Sequence, residues 1–218
     1  MHNFKKIALA SLLSGFAAFA QAETVNFEDV TRFSTGNFTS GSFSFFMSGT
    51  ASVIYNAQYC GPSCPVNGSN IALMPYGNLS NQLGYLRMSK ADGSTFSLNS
   101  FDGAASFNFN ESGTKHYIPL QIDAVGITAN GAQVTQSFAI DRDTPSGPLA
   151  FTNFTFNSAF SNLSSVTFSA SGSSHPFYNG LAIDNINTAA AVPEAETYAM
   201  MLAGLAALGL FSKRKKSA

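Results

Sequence analysis

The 218-residue chain has no tryptophan, only two cysteines, and charged side chains at just 11% of its positions. Each scarcity excludes something. Without tryptophan, any ring-stacking surface for a ligand has to be built from tyrosine or phenylalanine. Two cysteines rule out a multi-bridge scaffold and a four-cysteine zinc site. Catalytic signatures are missing as well. The chain has no H-E-x-x-H and no G-x-S-x-G, and His116 and His175 stand alone in the 23–188 segment, so the chain reads as non-enzymatic. In that segment Arg32, Arg87, Lys90, Lys115 and Arg142 face ten carboxylates, five positive against ten negative, for a net charge of −5. A scattered minority of cations cannot neutralise a phosphate backbone, which excludes a nucleic-acid partner. The whole-chain charge of −1 hides this, because the remaining cations sit at the two ends.

The ends are what the middle is not. Lys5 and Lys6 precede an apolar run from Ile7 to Ala20, and Ala20-Gln21-Ala22 supplies small residues at the cleavage positions. This is the pattern of a secretory signal peptide over residues 1–22, removed before Glu23. At the other end, Tyr198 to Phe211 holds 14 residues without a charge, followed by the basic stop Lys213, Arg214, Lys215 and Lys216. A helix of that length spans about 21 Å, against a hydrocarbon core of about 30 Å. The expectation is a short transmembrane helix within 198–218, its cations snorkelling on the cytoplasmic side.

Val192-Pro193-Glu194, Thr197-Tyr198, the Leu202-Ala203-Gly204-Leu205 run and the basic end resemble the PEP-CTERM sorting signal of exported bacterial proteins, a segment also labelled an ice-binding-protein C-terminal domain. Ala195 stands where the usual V-P-E-P carries its second proline. The resemblance implies an exosortase as processing partner, cutting near Pro193-Glu194. It further implies a precursor anchored in the inner membrane, then a body at the cell surface or outside, associated with exopolysaccharide or biofilm matrix.

Residues 23–188 are the domain between these signals, and 189–197 are linker and motif. Phe43/Phe45, Phe107/Phe109, Ile118/Leu120/Ile122, Phe154/Phe156 and Val166/Phe168 alternate with polar residues, which is the period of a half-buried strand. Asn67-Gly68, Asp92-Gly93, Asp102-Gly103 and Asn130-Gly131 punctuate the alternation as turns. About a dozen short strands are expected, beginning with Asn26–Val30 and ending with Leu181–Thr188, and Thr95–Ser100 and Ala105–Asn110 read as separate strands. The fold class is all-β: an antiparallel, jelly-roll-like β-sandwich.

Three groups of residues are candidates for chemistry. Cys60 and Cys64, in a Gly/Pro loop of an exported protein, suit a local disulfide. Asn26-Phe27-Glu28-Asp29-Val30 and Leu181-Ala182-Ile183-Asp184-Asn185-Ile186 set carboxylates inside apolar flanks, which is costly unless each acid reaches water or a cation. First and last strands of a jelly roll commonly lie together. The pair resembles the calcium-bearing jelly-roll carbohydrate-binding modules, and that resemblance implies Glu28 and Asp184 as ligands of a structural Ca2+, with Asp29 and Asn185 beside them. The plainer reading is that these acids cap strand ends or pair with Arg32. Tyr59, Tyr76 and Tyr178 fall in or beside loops and are the candidate ligand-facing aromatics, whereas the phenylalanines read as core. The expected function is a structural or adhesive surface or matrix module. A lectin-like polysaccharide-binding jelly roll is the alternative, and a polysaccharide hydrolase comes third.

Overall fold

The computed structural model describes residues 22–31, 34–48, 53–56, 65, 67–74, 84–105, 121–140, 150–172, 180–189 and 204. Residues 21–190 form one compact unit, and residues 1–20 with 191–218 are grouped apart from it. Of that second group only Gly204 is described, in helical conformation. The expected disulfide pair, the sorting motif, the basic stop, Arg32 and Tyr59, Tyr76 and Tyr178 lie outside the described residues. No described helix is long and apolar enough to cross a membrane.

The described residues of the body form twelve strands: β1 (Thr24–Val25), β2 (Asn37–Ser40), β3 (Phe43–Met47), β4 (Val53–Asn56), β5 (Asn70–Met74), β6 (Tyr85–Lys90), β7 (Ser97–Ala105), β8 (Gln121–Thr128), β9 (Gln133–Ala139), β10 (Thr152–Thr155), β11 (Leu163–Ser171) and β12 (Leu181–Ala189). They form two antiparallel sheets. The first runs β10-β7-β12-β5-β4, with β1 also on β12; the second runs β2-β3-β6-β11-β8-β9. Strand alternation supplies the core between them. Phe43, Phe45, Met47, Leu86, Met88, Ile122, Val166 and Phe168 come from the second sheet, and Phe101, Leu181, Ile183 and Ile186 from the first. Phe101 sits at its centre, 5.1 Å from the ring of Phe138 and 5.2 Å from that of Phe168.

The first and last strands do lie side by side, with Thr24 opposite Asn187 and Val25 opposite Ile186. Two expected elements differ. Residues 27–30 form a turn rather than a strand, because Phe27 is in the left-handed region at φ 57° and pairing stops at Val25. A buried aromatic rarely adopts that backbone, and here its ring is held 5.3 Å from Phe45. Asp102-Gly103 is not a turn either, since β7 runs straight through it. Gly103 meets a steric demand instead: a Cβ there would stand 2.6 Å from Ile122 Cδ1 and 2.8 Å from Phe101 Cε2.

Candidate functional site

Two places on the sandwich concentrate polar chemistry. The first is a junction in the first sheet. Along one edge of β12 runs β7; along the other, β5 pairs with Leu181–Ile183 and β1 takes over at Ile186. Asp184 and Asn185 fall in the gap. The register against β7 also shifts after Asp184, and Asn185 takes φ 46°, a conformation that asparagine tolerates well. Side chains take the place of the broken ladder. Asn67 Nδ2 and Ser69 Oγ both donate to Asp184 Oδ2 at 2.6 Å. Asn185 Nδ2 donates to Asp102 Oδ2 at 2.8 Å, and Asn153 Nδ2 to Asp102 Oδ1 at 2.8 Å.

Asp184 is completely buried, and its Oδ1 receives no hydrogen bond. Burial pushes its carboxyl above the usual aspartate range. The hydrogen bonds from Ser69 and Asn67 oppose that shift, and the nearby Asp102 charge adds to it. The opening segment reaches the same neighbourhood from the other side. Glu28 Oε1 accepts from the Asn70 amide at 2.7 Å, and Asn70 Nδ2 donates to the Phe27 carbonyl at 3.1 Å. Glu28 and Asp184 are thereby tied to one four-residue segment, Asn67 to Asn70. Asn70 Oδ1 is a second buried oxygen without a donor. Parity places it on the inner face with Ala72 and Met74, whereas Asp184 shares the outer face with Ala182.

The other two residues of the expected calcium set have separate duties. Asp29 accepts from Ser40 Oγ at 2.6 Å and the Gly41 amide at 2.8 Å, securing the β2–β3 hairpin. Burial raises its carboxyl, but these hydrogen bonds outweigh burial and hold it below the usual range. Asn185 spends its amide on Asp102. Among the described residues no three His, Cys, Asp or Glu side chains converge on one point. The donor chemistry nevertheless fits a hard cation. Asp184 Oδ1 is a buried carboxyl oxygen with no hydrogen-bond donor, Asn67 and Ser69 fix the plane of that carboxyl group, and Glu28 is the second acid on the segment they share.

The second place is the outer face of the second sheet. Asn37 is opposite Phe46, Phe46 opposite Arg87, and Arg87 opposite Thr167, so these side chains form one row across four strands. Phe46, 37% exposed, is the one exposed large hydrophobic among the described residues, and its ring lies 5.9 Å from that of Tyr85. Together with Asn37, Ser44, Phe45, Arg87 and Ser89 these rings line a half-open depression of about 420 Å³. Neighbouring outward positions are polar. Asp123, beyond Ser169 in the row from Tyr85, already accepts from Gln121, Ser137 and Ser171. An aromatic pair flanked by hydroxyls, an amide and a guanidinium can stack on a ring and hydrogen-bond its substituents.

Phe46 and Tyr85 are not the loop aromatics that the sequence puts forward, yet its alternation marks them. In Phe43-Ser44-Phe45-Phe46-Met47 the inward positions are 43, 45 and 47, so Phe46 takes the polar parity of Ser44. Tyr85, Arg87 and Ser89 likewise alternate with buried Leu86 and Met88.

What the geometry defines is an all-β sandwich with a buried, half-satisfied carboxylate where its two ends meet and an open aromatic–polar face on the opposite sheet. Residues 191–216 match the PEP-CTERM protein-sorting motif, the segment singled out by Val192-Pro193-Glu194 and the basic end, and the match marks an exported, membrane-processed chain. No curated protein matches the sequence. The K2 cleaved adhesin domain of Lys-gingipain is a similar solved structure, at 12% identity and TM-score 0.48, covering 77% of this chain and 97% of that one. A carbohydrate-binding module of family 28, specific for non-crystalline cellulose, is similar at 16% identity and TM-score 0.43, covering 65% and 81%. The family 11 carbohydrate-binding module of a Clostridium thermocellum cellulosomal cellulase follows at 13% and 0.36, covering 81% and 98%. These likenesses concern the fold alone.

Proposed function

We propose that this chain is a non-catalytic adhesive module of the cell surface or extracellular matrix that seats polysaccharide on the outer face of its second sheet. The observation that carries the proposal is the Phe46–Tyr85 ring pair, Phe46 exposed and Tyr85 half-buried, in a depression otherwise lined by hydroxyl, amide and guanidinium groups. Sugar rings present apolar C–H faces edged by hydroxyls, and this surface offers a complement to both. An exosortase, acting near Pro193-Glu194, frees the body from its membrane-held tail and delivers it to the surface or the biofilm matrix. A calcium ion, bound through Asp184 with Glu28 as second carboxylate, supplies the charge that Asp184 lacks and clasps the two ends of the body together.

The test is a glycan array probed with the full chain and with Phe46→Ala. Wild type should bind at least one polysaccharide class, and the variant should bind it about tenfold more weakly, with its melting temperature within about 4 °C of wild type. An array that wild type leaves blank refutes the proposal.

A further inference from the structure

Resting on that polysaccharide reading, we infer that the ligand is an acidic polysaccharide whose sugar carboxylate is held by Arg87. Arg87 is exposed and lines the depression, on the same row as Phe46, and no described carboxylate pairs with it. The contrast with its neighbour on β6 is informative. Lys90 is already engaged, 3.9 Å from Glu23, 2.7 Å from Ser42 Oγ and 4.5 Å from the Phe43 ring centre. Among the described residues of the body, where seven acids face two bases, a guanidinium without an anion is a conspicuous feature. Its planar fork matches a carboxylate in two parallel hydrogen bonds, which a neutral hydroxyl cannot reproduce.

A described carboxylate on the same face is otherwise engaged. Asp123 lies on the same face, one strand beyond β11, with both oxygens taken up by Gln121, Ser137 and Ser171. The net negative charge of the body does not forbid an acidic ligand, because charges further apart than about 8 Å are largely screened at physiological salt. A protein partner fits less well. A stable protein interface needs an apolar centre and about 800 Å² per side. Here a single exposed phenylalanine is ringed by Asn37, Ser44, Ser89 and Thr167, a composition suited to a hydroxyl-rich chain.

The probes are a galacturonate oligosaccharide and its fully methyl-esterified form, which has the same rings without the charge. Binding to the full chain is measured by calorimetry with calcium and with chelator, because calcium can bridge the acid's carboxylates but not the ester, and a preference held by Arg87 survives in chelator. Wild type should prefer the acid by about tenfold or more, as expected for a charged hydrogen-bonded pair. Arg87→Gln should bring the acid's affinity down to that of the ester, Arg87→Lys should retain part of the preference, and all three proteins should melt alike. Equal affinity for both probes, insensitive to Arg87→Gln, overturns the acidic ligand while leaving the polysaccharide reading standing. Binding of neither probe overturns the acidic ligand, and a blank glycan array is the separate result that removes the reading beneath it. A dimer in sedimentation that dissociates on Arg87→Gln would assign the face to a second copy and overturn the inference as well.

Discussion

The two sheets of the sandwich are covered to different degrees. In the first, all five residues of β5 are buried, and its outward Ile71 and Leu73 join Ala104 and Ala182 in a small apolar cluster, with Phe151 packed on it. In the second, β9 alternates between exposed and half-buried residues for most of its length, and Phe46 and Arg87 stand open to solvent. The part of the first sheet around β5 and β12 that is covered on both faces can hold a buried carboxylate and fasten the ends of the chain, but it presents little to a ligand. A sheet with a bare face can recognise one. Stability and recognition are thus assigned to opposite halves of the same core, and disturbing either half should leave the other's task in place.

The sharpest way to break that division compares two phenylalanines. Phe101 has no exposed surface and packs within 5.5 Å of four other rings, those of Phe138, Phe154, Phe156 and Phe168. Phe101→Ala should cost about 3–5 kcal/mol in urea denaturation, the loss of a buried aromatic plus its cavity. Phe46→Ala should cost under about 1 kcal/mol, because much of that ring is already wet. A Phe46 variant as damaged as the Phe101 variant would mean that the outer face is covered after all.

The next largest effect concerns the junction. With calcium at about 100 times its dissociation constant, the wild-type chain should gain about 2.7 kcal/mol, through binding to the native state alone. Asp184→Asn should lose that gain entirely. In chelator the order should reverse or level, with the variant at least as stable as wild type, because an unneutralised buried charge no longer has to be desolvated. Thermal unfolding of both proteins, with calcium and with chelator, reads all four values. A variant weaker than wild type in chelator would show that Asn67 and Ser69 satisfy the carboxylate unaided.

These sites differ in how far the sequence reveals them. Alternation alone identifies the inward faces of β3, β8 and β11, because a two-residue period depends only on neighbours along the chain. It also exposes Asp184 as an acid among apolar residues, and the meeting of the first and last segments follows from the expected topology. The donors to Asp184 are another matter. Asn67 and Ser69 lie 117 and 115 residues away in a turn sequence of ordinary composition, and nothing local distinguishes them. Asp102-Gly103 misleads for a related reason. The dipeptide is a strong turn signal when only the backbone is considered, but here the glycine exists to let Ile122 and Phe101 approach. Phe46 was legible but outweighed, since 21 phenylalanines invite assignment to the core by composition when parity assigns this one to the surface.

The smallest effect tests the passage between the halves. Ala91 to Ser94 carries the chain from β6 in the second sheet toward β7 in the first, and Asp92 Oδ1 accepts there from the Ser94 amide at 2.9 Å and the Ser94 hydroxyl at 2.7 Å. Those two hydrogen bonds hold its carboxyl below the ordinary 3.8. A depressed folded-state value means that Asp92 stabilises the fold at pH above 3.8, and that this contribution fades as pH falls through the folded value. Ser94→Ala removes the hydroxyl but keeps the amide, so the Asp92 midpoint, followed by carbon-detected NMR titration, should move part of the way back toward 3.8. Melting temperature should hardly change, because the turn is fully exposed and solvent replaces the lost donor. Shifts confined to residues 91–95 would show that the connection passes no strain between the sheets. Shifts reaching Leu86 or Leu98 would show the two halves to be coupled through it, and the division between stability and recognition would be weaker than their burial implies.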